Sequence, residues 1–109
     1  MATTYKVLGQ SNPAATTETT LYTVTASTSG IVSTIAVCNQ ASTAATYRIA
    51  VRPTADASTA AKHYIVYGAT VPASDSVMLT VGLTLAASDK ILIYASSATL
   101  SFSVFGSEL

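Results

Sequence analysis

The chain is short of almost everything that carries chemistry or charge. It holds one cysteine, one histidine and no tryptophan in 109 residues. A lone cysteine cannot close an internal disulfide, and a metal centre needs clustered Cys or His, so the fold is expected to stand on packing alone, without metal or cofactor. Charged residues are 9% of the chain, against about 25% in an average soluble protein. Five basic and five acidic residues cancel, which leaves no footprint for nucleic acid and none for an anionic membrane surface. No run approaches the ~18 apolar residues of a membrane span, and MATTYKVLGQ lacks the basic segment and apolar stretch of a signal peptide. The expected setting is therefore a cytosol, or a particle assembled in one. The few glycines are isolated at the ends of apolar runs, which excludes a phosphate-cradling loop. No window sustains a helical period over three turns.

What is present is apolar alternation. Half the residues are hydrophobic, and period-two runs recur between clusters of Ser, Thr, Asn, Asp, Gly and Pro. Strands are predicted at TYKVLG (4–9), TLYTVT (20–25), GIVSTIAVC (30–38), ATYRIAVR (45–52), KHYIVYG (62–68), DSVMLTVGL (75–83), KILIYAS (90–96) and a last one through Leu100, Phe102 and Val104, closed by Gly106. Pro13, Pro53 and Pro72 lie outside these runs or at their ends, where a missing N–H does no harm. In TADASTAAK a helical turn competes with a loop. About eight short strands at this spacing point to an all-β, single-domain antiparallel β-sandwich or jelly roll spanning 1–109. Residues 1–20 and the terminal GSEL are expected to serve as extended arms.

Local pairing is expected to follow sequence order. Strand 30–38 should form a hairpin with 45–52, pairing Ile35 with Ile49, Val37 with Tyr47 and Ser33 with Val51, while 90–96 pairs with the last strand through Ser97–Thr99. The hairpin's inner side is then Ile35, Val37, Tyr47, Ile49 and Val51. Its other side gathers Arg48 and Arg52 with Val32, Ala36, Ala50 and Cys38. Arginines among small apolar neighbours suit a subunit interface, where Arg is enriched and other charges are depleted. Two solubilising side chains with their stems lying over alanines are the competing reading. Cys38 reads as a small buried hydrophobe.

Catalysis finds no constellation. His63 has neither a nucleophile nor an orienting acid at a recognisable spacing. The acids stand singly, and Asp75 and Asp89 precede strands where a short carboxylate caps backbone N–H groups. Tyr64 and Tyr67, three apart on one strand, should face opposite ways. One of them would be left exposed, for packing or as a sugar platform. The residues therefore describe a self-associating, non-enzymatic β-sandwich.

Taken together, LGQSNPAATTETTLYTV, IVSTIAVCNQASTAATYRIAVRP, AKHYIVYGATVPASDSVMLTVGLTLAASDKILIYAS and LSFSVFG resemble a group of small capsid-associated or tail-associated virion proteins of tailed bacteriophages, phages of cyanobacteria among them. The resemblance implies a structural component made in the host cytoplasm and built into the virion by protein contacts. It carries no functional residues over. The favoured role is a capsid decoration or cement protein, a homo-oligomer with a trimer preferred, bound to the major capsid protein. A neck, tail or fibre component is the first alternative, and a host-surface or glycan-binding module the second.

Overall fold

A computed structural model describes residues 4–109. The strands are β1 (Thr4–Ser11), β2 (Thr19–Thr23), β3 (Gly30–Asn39), β4 (Ala45–Arg52), β5 (Tyr64–Val71), β6 (Ser76–Leu85), β7 (Lys90–Ala95) and β8 (Leu100–Glu108). One short 3-10 turn, Ala61–His63, marks the only helical piece of the TADASTAAK region. The strands form two four-stranded sheets in the orders β1-β8-β3-β6 and β2-β7-β4-β5, with every pair antiparallel. That is the jelly-roll arrangement of two interlocked Greek keys. Only β4 and β5 are neighbours both in sequence and in a sheet. Every other link crosses between the sheets.

Both expected hairpins are thereby corrected. β3 lies between β8 and β6, β4 lies between β7 and β5, and β7 and β8 belong to different sheets. Alternation decides which face of a strand is buried, but it leaves the partner open. Here the short links arch over the ends of the sandwich. Asn39, buried at the end of β3, holds three of these links together. The two hydrogens of its Nδ2 are shared among the carbonyls of Thr43 (2.9 Å), Val71 (3.2 Å) and Pro72 (3.3 Å), while its Oδ1 accepts from Ala41 N (3.0 Å) and Thr99 Oγ1 (3.1 Å).

The core fills from the four central strands. Val32, Ile35 and Val37 of β3 and Leu100, Phe102 and Val104 of β8 face Tyr47 and Ile49 of β4 and Ile91, Ile93 and Ala95 of β7. Phe102 meets Tyr47 edge to face, with ring centroids 6.2 Å apart. All five residues expected on the inner side of the hairpin do face inward, from two strands in opposite sheets. Val77, Leu79 and Val81 of β6 also turn inward and Met78 and Thr80 outward, as the alternation predicts.

Val32 is the exception, placed outside by the sequence pattern yet fully buried. A β-bulge explains it. Val32 faces Gly106 and Thr34 faces Phe105, so Ser33 has no partner on β8 and the alternation changes phase across it. Ser33 Oγ donates to the carbonyl of Phe105 at 3.2 Å. Gly106 is required there because a Cβ would collide with the Ile31 carbonyl. It therefore serves the bulge rather than ending the strand.

The expected arms are also built into the fold. Residues 1–3 lie outside the described ones, but Thr4–Ser11 is an edge strand paired with β8. Leu109 exchanges two main-chain hydrogen bonds with Ser29, at 3.0 and 3.1 Å.

Candidate functional site

The six residues expected to form one interface are distributed over three places. Val32 lies in the core, Ala36 and Cys38 are on the outer face of the first sheet, and Arg48, Ala50 and Arg52 are on the outer face of the second. The two sheets lie between these groups. Each outer face then has its own chemistry.

On the first sheet, the outward residues of all four strands are uncharged. Tyr5 and Val7 of β1, Ile31, Ala36 and Cys38 of β3, Met78 and Thr80 of β6, and Ser103 and Phe105 of β8 make up most of it. Tyr5 is 82% exposed and Met78 68%. A shallow groove of about 600 Å³ runs between Tyr5, Val7, Ile31 and Phe105. Lys6 stands at its rim but turns its ammonium to Glu108 at 3.1 Å.

Glu108 is a buried acid that the sequence reading treated as one more terminal charge. Tyr22 Oη donates to it at 2.6 Å, Thr25 adds its N–H at 3.2 Å and its hydroxyl at 3.0 Å, and Lys6 completes the set. The Tyr22 hydrogen bond, working against desolvation and joined by Thr25 and Lys6, brings its carboxyl down to about 2. Burial, with the same carboxylate, raises the Tyr22 phenol. The cluster joins β1, β2 and β8 and so ties the two sheets together at one end.

On the second sheet, cross-strand register sets Tyr67 of β5, Arg48 of β4 and Tyr94 of β7 side by side. The Arg48 guanidinium carbon lies 4.3 Å from the Tyr67 ring centroid and 4.2 Å from that of Tyr94. This is a cation held between two aromatic faces. Tyr64 meets Tyr67 edge to face at 5.0 Å. The expectation that these two tyrosines face opposite ways is overturned by a bulge: Ala50 faces Tyr64 and Ile49 faces Val66, so Ile65 is the extra residue. A second register shift at Gly68, whose φ is +77°, follows immediately.

The β4–β5 loop folds back over the same face. Arg52 Nη1 donates to Thr59 Oγ1 at 3.1 Å and lies 4.0 Å from Glu18. Ala50 and Leu92, which point away from the core, are buried beneath this cover. His63 fastens the loop. Its Nδ1 accepts from Ala60 N at 2.8 Å, so the ring carries its proton on Nε2 and donates to Asp56 Oδ2 at 2.9 Å. That hydrogen bond lowers the Asp56 carboxyl, with Lys62 at 3.9 Å assisting. An imidazole whose basic nitrogen already holds a main-chain N–H serves the loop rather than a substrate. Between Tyr64, Tyr67 and Thr59–Ala61 there remains an open cleft of about 570 Å³.

Asp75 and Asp89 accept backbone N–H bonds, as expected from their turns. Asp75 accepts from Ser76 N, while Asp89 accepts from Ala86 N and also from Thr54 N, across from the β4–β5 loop. The reading of the sequence missed Tyr94 entirely. Alternation along KILIYAS places it outward, but only the β4–β7 register brings it to Arg48. Compared with protein-family models, curated proteins and solved structures, the chain matches none.

Proposed function

We propose that this chain is a non-enzymatic structural subunit of a tailed-phage virion, a capsid decoration protein that works through protein–protein contacts. The observation that carries the reading is the outer face of the first sheet, four strands wide and without an outward charge, with Tyr5, Val7, Ile31 and Met78 exposed. Large uncharged faces with exposed aromatic and aliphatic side chains favour association, because burying them releases apolar surface from water at about 25 cal/mol per Å². The jelly-roll layout is compatible with a shell component by analogy of fold. The resemblance of the quoted stretches to phage virion proteins supplies the particle. A subunit that binds the assembled shell and not its dissociated parts stabilises the shell by mass action.

The test has two parts. Light scattering on the purified chain should show an oligomer, with a trimer favoured, that falls to a folded monomer in Ile31→Glu and in Met78→Glu. Purified virions of the phage that encodes the chain should contain it, as read with an antibody. Its absence from those virions would remove the placement, and a mass unchanged by both substitutions would remove the face.

A further inference from the structure

We propose that the outer face of the second sheet binds an acidic saccharide, with Tyr67 and Tyr64 as the stacking platform and Arg48 as the carboxylate anchor. The inference goes beyond the structural role and rests on the opposite face, so it stands or falls separately. Tyr67 is 65% exposed and borders an open cleft of about 570 Å³. Its ring is already fixed, edge-on to Tyr64 and over the Arg48 guanidinium. A ligand stacking on it therefore meets a surface with little side-chain freedom left to lose.

Arg48 supplies the sign of the ligand. Lys6, Arg52 and Lys62 each have a carboxylate within 4.0 Å, but among the described residues no acid and no hydrogen-bond acceptor is paired with Arg48. Tyr67 and Tyr94 cover the two faces of its guanidinium, which leaves the edge, where the N–H donors are, for a partner. A guanidinium edge matches a carboxylate in a two-bond fork. Arg52, Lys62 and Lys90 lie on the same side of the sandwich, with Lys90 opposite Arg52 in the register, so this face holds most of the chain's cations.

A ring whose C–H face lies on tyrosine and whose substituent is a carboxylate is a uronic or sialic acid unit. A nucleic-acid strand needs a continuous track of cations for its phosphates, and the net charge of zero does not provide one. A peptide strand would have to add to the edge of β5, which bulges at Ile65 and Gly68 interrupt.

The experiment is an amide-resolved NMR titration of the full chain with trigalacturonate and with sialyllactose, each against lactose as the neutral control. The acidic probes should shift amides of β4, β5 and the 59–61 loop and bind about tenfold more tightly than lactose, the worth of a charged hydrogen-bond pair. Arg48→Gln and Arg48→Lys should both lose that preference, since lysine keeps the charge but not the fork. Tyr67→Ala should lose binding of acidic and neutral probes alike, and dispersed spectra would show that the variants are folded. The proposal is overturned if neither acidic probe shifts any amide at millimolar concentration, if lactose binds equally well, if the shifts map elsewhere, or if Arg48→Gln keeps the acid preference.

Discussion

Replacing Asn39 by alanine should destabilise the domain by about 3 kcal/mol. The side chain makes five polar contacts: the two Nδ2 hydrogens are shared among the carbonyls of Thr43, Val71 and Pro72, and Oδ1 accepts from Ala41 N and the Thr99 hydroxyl. Only the contact to Val71 is fully buried, and its loss costs about 1–1.5 kcal/mol. The others are partly open, and water recovers most of their worth, leaving a few tenths to about 1 kcal/mol each. The sum is a large share of the ~5–15 kcal/mol by which a domain of this size is stable. It corresponds to a fall of roughly 15 °C in Tm. Asn39→Asp should cost at least as much, because a carboxylate oxygen would then face carbonyl oxygens. Urea and thermal melts followed by circular dichroism, at one protein concentration, measure the effect, with Ser103→Ala, which removes one exposed 3.3 Å contact to Gln10, as the control. If Asn39→Ala unfolds within ~0.5 kcal/mol of the parent chain, the links it holds are not what fixes the arches.

Three further outcomes follow from the same geometry. Glu108 is ionised in the fold down to about 2, below its ordinary value of 4.5, so its stabilisation is complete above that ordinary value and is lost as pH falls towards 2. Glu108→Gln should cost ~1–2 kcal/mol at neutral pH and flatten the acid limb of the stability profile, and an unchanged limb would show that the carboxylate is not held as described. Gly106→Ala should cost more than ~2 kcal/mol because its Cβ meets the Ile31 carbonyl, whereas Gly82→Ala, with nothing within 4 Å, should change stability by less than ~1 kcal/mol. Val32→Asp should abolish cooperative folding and Ala36→Asp should not; folded Val32→Asp protein with a normal melt would contradict the change of phase at Ser33.

The positions of the eight strands were legible because each carries its own period-two pattern, and the ends agree to within a few residues. The faces were legible too, except where a bulge changes the phase, as at Ser33 and Ile65. Neither bulge has a sign in its own residue type. The mark of the first is Gly106, far along the chain, and a glycine after an apolar run reads as a strand terminator. Pairing was not legible, because the ATYRIAVR and GIVSTIAVC runs would suit a hairpin as well as two sheets. What decides between them is a set of polar contacts at the ends, Asn39 above all, whose partners are separated in sequence by up to 60 residues. The aromatic face was half legible for the same reason. Arg48, Tyr64 and Tyr67 were each noticed, but their assembly with Tyr94 is a property of cross-strand register.

The pairing of the first strand with the last also governs when the molecule can form. Thr4 sits opposite Glu108, and β8 occupies the middle of its sheet, between β1 and β3. On a ribosome, β1 and β3 emerge without the strand that separates them, and the first sheet is unable to close until β8 has left the exit tunnel. The β4–β5 pair can form earlier, but it has no opposing sheet to cover its apolar side. Folding therefore waits for β8 and is dominated by contacts distant in sequence, which places the chain among slow β-rich folders. Until β8 is available, β3 and β6, which carry no charged residue, stand exposed to one another on neighbouring nascent chains.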